Sequence, residues 1–366
     1  MDIINPSGKK TLKVETEFCG RTLGLEVNRV GFRSTSSVLV TYGDTVVLGS
    51  VVVGNKPIMQ DFFPLTIEYQ EKYYASGKIS SSKFIKREGK PSEEAILVAR
   101  LIDRPIRPLF PKGYRQEIMV VSTVLSMDPN FRPDVIAMIA ASSALMLAGV
   151  PFDGPIAGLR IGRVNGEYKA FLSPEERAAS DLDLVVAGKD SGITMVEAGA
   201  NEVPEAKMIE AIFAAHEVNQ EVIKFIDAIV ADCGKEKHAY TSCAIPEELF
   251  AAMKEIVPPA EMEVAVFTDV KQVREENLRV IREKLEEAFA DNEEWLAILG
   301  EALYQYQKKT VRKMILVDHK RPDGRAIDQI RPLAAETDLI PRVHGSAMFT
   351  RGQTQICKVT TLGPLS

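Results

Sequence analysis

The chain has 366 residues, a length that suggests two or three domains of ordinary size. Hydrophobic residues make up 45% and charged residues 26% of it, which is a globular composition and excludes disorder of the whole chain. Four cysteines do not make a disulfide framework, and no apolar run approaches the roughly 18 residues of a membrane span. The N-terminus lacks an export signal pattern, so we expect a cytoplasmic protein that makes no membrane contact. The net charge of −6 argues on average against a nucleic-acid partner, although single faces can differ from the average.

Residues 1–237 predict a mixed α+β domain. Two apolar runs within residues 38–53 surround Gly43-Asp44, which predicts a hairpin because glycine tolerates the positive φ of a tight turn. An apolar segment from Asp134, in the N-cap position, to Gly149 predicts a helix that is buried on all sides. The other predicted elements are a strand over residues 117–125, hairpins at residues 165–166 and 189–192, and a helix over residues 204–231.

The composition changes after residue 237. Residues 246–310 contain 15 acidic and 8 basic side chains, and no glycine before Gly300. Runs such as VREENLRVIREKLEEAF are strong helix formers with charge pairs four residues apart. We therefore predict an acidic, all-helical domain over residues 238–311.

The C-terminal residues resemble an earlier part of the chain. Residues 342–363 match residues 33–54 at six of 22 positions without a gap, and both segments have two apolar runs around a glycine. A chance match between two hairpins is the alternative, but the shared turn positions favour a duplicated fold. Because the first copy continues far beyond Gly54, residues 312–366 are expected to be the start of a second α+β domain that is truncated.

The most basic part of the chain is residues 78–115, with ten Lys or Arg side chains, four Asp or Glu side chains and a local net charge of +6. Phe84, Lys86 and Arg87 lie among serines and glycines, which predicts a loop that presents a ring beside two cations. Such a loop suits single-stranded nucleic acid, because bases stack on the ring and the cations contact phosphates. A solvated basic loop is the alternative, and composition alone does not decide between the two.

Three arginines follow this loop. Ser92 begins a predicted helix in which Arg100 and Arg104 share one face, Pro105 is expected to end it, and Arg107 is expected in an extended stretch. These arginines could hold phosphates or could serve the fold, and for Arg104 and Arg107 we favour the structural role.

The residues alone name no catalytic centre and no metal site. Cys233, His238 and Cys243 are evenly spaced, but no second pair of ligands completes a zinc site, so we interpret them as incidental. The common glycine-rich phosphate-binding motifs and the nucleophile-elbow motif do not occur.

One long segment, FIKREGKPSEEAILVARLIDRPIRPLFPKGY, closely resembles the signature of the bacterial polynucleotide phosphorylase family. The segments SDLDLVVAG, MVEAGANEV, RPDGRAIDQIRPL and HGSAMFTRGQTQ also look like parts of that family, in the same order. The resemblance covers essentially the whole chain. It implies an α+β fold with one ribonuclease PH-like domain (ribosomal protein S5 domain 2-like), an all-helical domain, and the start of a second ribonuclease PH-like domain.

The resemblance also implies a function. Enzymes of this family are trimeric rings that degrade single-stranded RNA from the 3′ end in mRNA turnover. They use inorganic phosphate as the attacking group and Mg²⁺ as cofactor, and they release nucleoside diphosphates. By position, Phe84, Lys86 and Arg87 match an aromatic and basic loop at the channel constriction, and Arg100 matches an arginine near the RNA path. Implied partners are RNA, two further copies of the chain, and proteins of an RNA-degradation complex.

Two departures from the family bear on these expectations. Ser80, Ser81, Ser82 and Lys83 stand where many members have a Pro-Gly-Gly sequence. The family's phosphate-binding serines and arginines and its metal-binding aspartates are expected beyond Ser366. We therefore expect no catalytic residue in this chain and no phosphorolysis by it alone. The alternative is an inert RNA-binding or ring-scaffold protein.

Overall fold

A computed structural model describes residues 11–58, 62–79, 88–240, 242 and 244–364. The chain divides into two compact units, residues 1–244 and 245–366. The strands are β1 (Leu12–Phe18), β2 (Arg21–Val27), β3 (Ser36–Tyr42), β4 (Thr45–Pro57), β5 (Leu65–Gln70), β6 (Gln116–Ser126), β7 (Ala157–Val164), β8 (Glu167–Ala170), β9 (Leu182–Lys189), β10 (Gly192–Ala200), β11 (Leu333–Thr337), β12 (Gly345–Arg351) and β13 (Thr354–Thr360). The helices are α1 (Glu93–Ile106), α2 (Asp134–Leu147), α3 (Pro174–Ala179), α4 (Glu205–Cys233), α5 (Glu247–Ile256), α6 (Pro259–Val266), α7 (Lys271–Ala288) and α8 (Glu293–Leu316).

A six-stranded sheet with the order β1-β2-β3-β4-β6-β5 forms one layer of the first unit. Its pairs are antiparallel except β5 with β6. Helix α2 packs on β3, β4 and β6 and is buried over almost its whole length, which confirms the predicted buried helix. The approach is close, because a Cβ on Gly49 would lie 2.5 Å from the carbonyl oxygen of Ala140.

A second, antiparallel sheet with the order β10-β9-β7-β8 completes this unit, and α4 packs on β7 and β9. The predicted hairpin at residues 165–166 is confirmed. Asn165 and Gly166 both have positive φ values, as a two-residue hairpin turn of this kind requires. The mixed architecture is the predicted α+β class.

Three local predictions were wrong. Asp134 is the first residue of α2 rather than its N-cap, which is Pro133, and the buried Asp134 carboxylate lies 2.7 Å from Nη2 of Arg160. Helix α1 continues through Pro105 to Ile106, because a proline in the last turn removes only one helical hydrogen bond. Arg107 is not extended, since its backbone is helical and its N–H donates to the carbonyl of Asp103.

The second unit contains α5 to α8, which enclose their own apolar core, as predicted for the helical domain. Helix α8 ends at Leu316. The N–H of His238 donates to the carbonyl of Gly149. The bounds of the helical domain, residues 238–311, stay a prediction.

A three-stranded antiparallel sheet, β11-β12-β13, follows in the second unit. The predicted second hairpin is confirmed, because β12 and β13 have the same pairing register as β3 and the facing part of β4. Gly43 and Gly352 occupy the same turn position, with φ values of +57° and +60°. Strand β11, which the sequence did not predict, pairs with β12 as β2 pairs with β3.

One further detail extends the match beyond the hairpin. Asn28 and Asp338 both have positive φ, and their N–H groups donate to the carbonyls of Ser37 and Ser346. This shared detail favours duplication over chance.

The described residues include no helix that is long and apolar enough to cross a membrane.

Candidate nucleic-acid interface

The predicted RNA-binding loop lies only partly within the described structure. Phe84, Lys86 and Arg87 are outside the described residues. The structure does describe the segments on both sides of the loop. A short 3₁₀ turn over Tyr73–Ser76 follows β5 on one side, and residues 88–92 lead into α1 on the other.

The Glu88 carboxylate joins these two segments. One of its oxygens lies 2.9 Å from the Lys72 ammonium, and the other accepts the N–H of Tyr73 at 3.0 Å. The hydrogen bond from Lys72 and then that from the Tyr73 N–H hold the pKa of Glu88 below its ordinary value. The Ser92 hydroxyl adds a contact to Glu71 at 3.3 Å. The two segments that flank the loop are therefore bound to each other, and we call this pair of segments the loop base.

Helix α1 begins immediately after this base. The Ser92 hydroxyl accepts the N–H of Ala95 at 3.0 Å, and Glu93 and Glu94 lie in the first turn, where the helix dipole favours negative charge. The helix packs on β5 through its buried face. This packing leaves the side that carries Arg100 exposed to solvent.

Arg104 and Arg107 are both bound within the fold. Arg104 donates to the carbonyl of Val196 at 2.8 Å and lies 3.3 Å from Glu197. Arg107 forms two hydrogen bonds with the Asp103 carboxylate, at 2.7 and 2.9 Å. It also donates to the carbonyls of Phe63 and Leu65. Each guanidinium thus connects α1 to neighbouring strand or loop segments.

Arg100 is different from these two arginines. It lines a groove between β5 and α1, together with Asp103 and Arg107. In the described part of the chain, its guanidinium has no hydrogen bond or ion pair. Of the three arginines singled out from the sequence, Arg100 is the one whose charge is available to an anionic ligand.

A second pocket, of about 220 Å³, lies in the first unit and was not predicted from the sequence. Arg160 lines it and is bound to Asp134 and Asp183. Arg163 and Asp181 form another ion pair beside it. These residues come from separate strands and a helix end, so no spacing in the sequence could have indicated the cluster. Arg160 and Arg163 are thus each paired with at least one carboxylate.

No zinc site is predicted at Cys233, His238 and Cys243, and the structure shows what two of them contact. The Cys233 thiol donates to the carbonyl of Ile229, and His238 lies 3.1 Å from the Tyr114 hydroxyl. Cys243 lies outside the described residues. Among the residues that are described, no group of three or more His, Cys, Asp or Glu side chains could hold a metal ion.

Models of known protein families match three segments of the chain. Residues 20–151 match the model of domain 1 of the 3′ exoribonuclease family, and residues 154–218 match that of its domain 2. Residues 248–326 match the model described as the RNA-binding domain of polyribonucleotide nucleotidyltransferase. The fold is thus that of the ribonuclease PH class, with a helical domain following the first copy.

Curated relatives narrow the class. Polyribonucleotide nucleotidyltransferase from Lachnoclostridium phytofermentans is 59% identical over 352 residues, which cover 96% of this chain and 50% of the relative. The relative of the same name from Exiguobacterium sibiricum is 48% identical over 352 residues, 95% of this chain and 47% of the relative. The chain belongs to the polyribonucleotide nucleotidyltransferase family. It spans about half the length of the curated relatives it matches.

A solved structure, that of Rrp46 from rice (Oryza sativa), aligns with 61% of this chain and 95% of its own. The TM-score is 0.46 and the sequence identity is 12%.

Proposed function

We propose that this chain is the RNA-gripping part of an enzyme that shortens single-stranded RNA from its 3′ end in mRNA turnover in the cytoplasm. The reaction transfers the terminal nucleotide to inorganic phosphate and releases a nucleoside diphosphate. The observation that carries the proposal is the +6 segment over residues 78–115, in which Arg100 is unpaired among the described residues. This segment contrasts with the −6 of the whole chain.

The chemistry explains why such a segment is needed. An exonuclease that removes many nucleotides without releasing the strand requires a grip away from the reacting bond. In the proposal, Phe84 stacks on a base, and Lys86 and Arg87 contact phosphates on either side of it. Arg100 adds a forked donor for a further phosphate. Assembly of three copies into a ring would direct three such loops at one strand.

A binding experiment tests this grip. We expect Lys86→Ala and Arg87→Ala to weaken the binding of oligoadenylate by the chain. Each phosphate that is no longer neutralised should flatten the slope of log affinity against log salt by about 0.7. Lys224→Ala, which removes an exposed cation on α4, is the control and should change neither quantity. Unchanged affinity and salt slope in both loop variants would refute the assignment of the loop.

We further propose that this chain does not catalyse phosphorolysis by itself. The resemblance assigns the phosphate-binding serines and arginines, and the aspartates that would hold Mg²⁺, to sequence beyond Ser366. The purified chain, incubated with oligoadenylate, phosphate and Mg²⁺, should therefore release no ADP. ADP above background would contradict the proposal.

An inert RNA-binding or ring-scaffold protein is the other reading of the same features, and it also predicts no ADP from the chain. The two readings separate when the chain is fused to the remaining half of the Lachnoclostridium phytofermentans relative. Release of ADP by the fusion would support the enzyme, and no release would support the scaffold.

A further inference from the structure

A groove of about 630 Å³ lies beside the base of the predicted RNA loop. One wall is the turn over Tyr73–Ser76, and the other is the segment over residues 88–92. The buried residues Tyr69, Ala95 and Val124 also line it. The groove is thus an opening with an apolar floor, and it adjoins the segment of highest positive charge.

The Tyr73 side chain lines this groove, and 52% of its surface is exposed. Its backbone is nevertheless held in place. The N–H donates to Glu88, and the carbonyl accepts the N–H of Lys78 at 3.0 Å. The carbonyl of Ala75 accepts the N–H of Met127 at 3.0 Å, which fixes the turn to the end of β6. The ring makes no ring–ring contact with the described residues.

Some of the charged side chains around the groove have partners among the described residues, and others do not. Lys72 is paired with Glu88, and Glu71 accepts a hydrogen bond from Ser92. Lys78 and Lys90 also line the groove and are exposed, and neither is ion-paired within the described ranges. Both acidic groups of the lining therefore have a partner, whereas two cations remain available.

We infer that Tyr73 is a base-stacking residue for single-stranded RNA, and that Lys78 and Lys90 contact the phosphates of the stacked nucleotide and its neighbour. This inference rests on the proposed function and extends the RNA path from the loop to the groove at its base. Every base has a π-face, so an exposed ring binds RNA with little sequence preference. Because the turn is already fixed, little conformational freedom is lost on binding.

Tyr74 provides a matched control. It is the next residue of the same turn and is 58% exposed, but it does not line the groove. A general effect of removing a surface tyrosine from this turn would appear equally in both residues. An effect specific to the groove would appear only at Tyr73.

The test measures equilibrium binding of the full chain to oligoadenylate and to a ribose-phosphate oligomer of equal length without bases. We expect Tyr73→Ala to weaken oligoadenylate binding by between about fivefold and about 150-fold, the range for loss of one stacked ring. Binding of the base-free oligomer should stay unchanged, as should the salt slope. Tyr73→Phe keeps the ring and should bind as the parent chain does, and so should Tyr74→Ala.

We expect a different pattern of binding losses for variants of the two lysines. Lys78→Ala and Lys90→Ala should weaken binding of both oligomers and flatten the salt slope, by about 0.7 for each phosphate that the variant no longer neutralises. Equal losses for Tyr73→Ala and Tyr74→Ala would overturn the inference. So would a loss for Tyr73→Ala that is as large on the base-free oligomer as on oligoadenylate.

The loop variants separate this inference from the proposed function. If Lys86→Ala and Arg87→Ala leave binding unchanged while Tyr73→Ala weakens it, the loop assignment fails and the groove stands. If the loop variants weaken binding and Tyr73→Ala does not, the groove fails and the loop stands. A parent chain that binds no oligoadenylate refutes both.

Discussion

The sheets β2-β3-β4 and β11-β12-β13 share strand register and turn position but differ in burial. Val40 and Val47 form a cross-strand pair in the first sheet, and both are fully buried. Phe349 and Ile356 form the equivalent pair in the second sheet, with 46% and 62% of their surface exposed. A short alternating pattern and a glycine turn are therefore enough to specify strand pairing, whereas burial depends on what packs against the sheet.

One pair of equivalent positions shows this dependence at atomic scale. The main chain of α2 lies so close to Gly49 that any side chain there would collide with Ala140. The equivalent position in the second sheet is Lys358, which is exposed. The first sheet therefore needs a glycine at position 49 because α2 packs there, and not because the strands pair.

The largest predicted effect comes from filling this space. Gly49→Ala should destabilise the first unit by about 3 kcal/mol, because the backbone of α2 must move. Lys358→Ala should change the free energy of unfolding by no more than about 0.5 kcal/mol. Urea unfolding followed by far-UV circular dichroism measures both. The fluorescence of Trp295, which packs in the helical core of the second unit, provides a separate signal.

Equal effects of the two variants would contradict the claim that helix packing requires a glycine in the first sheet only. A Gly49→Ala variant as stable as the parent chain would mean that α2 can move away without cost. A shift of the Trp295 transition by Gly49→Ala would mean that the two units do not unfold independently.

A smaller effect is expected from the cross-strand pair. Val47→Ala removes buried methyl groups and leaves a cavity, so it should cost about 2 kcal/mol. Ile356→Ala removes exposed atoms and should cost no more than about 0.5 kcal/mol. The same unfolding measurement applies. A loss of about 2 kcal/mol or more for Ile356→Ala would show that the second sheet is covered in solution.

The smallest effect concerns the tip of the first hairpin, where Asp128 lies 3.0 Å from Arg21 and its N–H donates to the Thr45 hydroxyl. Burial opposes ionisation of Asp128. Hydrogen bonds from Asn130 and the charge of Arg21 outweigh it and hold the pKa below its ordinary value of 3.8. The ionised Asp128 therefore contributes to the free energy of unfolding. This contribution is fully present above pH 3.8 and is lost as the pH falls through the lower pKa of the folded state.

Asp128→Asn should therefore remove about 1 kcal/mol at pH 7 and make unfolding less sensitive to acid below about pH 4. Asp44→Asn, at the exposed turn of the same hairpin, is the matched control and should change neither. If both variants keep the acid sensitivity of the parent chain, the ion pair does not stabilise the hairpin tip.

Features that depend on neighbours along the chain could be predicted from the residues alone. The turns at Gly43, Asn165 and Gly352 follow from residues that accept positive φ, and the buried α2 follows from an apolar run without a polar face. The acidic helical domain follows from composition. The family follows from one long segment, and with it the interpretation of Phe84, Lys86 and Arg87, which the described structure does not include.

Which charged side chains are unpaired could not be predicted, because it depends on contacts between distant segments of the chain. Arg100, Arg104 and Arg107 look alike in the sequence, but the partners of Arg104 lie more than ninety residues away, on β10. The pairing of Lys72 with Glu88, which closes the loop base and leaves Tyr73 beside a groove, also spans residues that no short spacing connects. The physical reason is that periodicity and turn chemistry act over a few residues. Ion pairs and close packing, in contrast, depend on which distant segments the fold brings within a few ångströms.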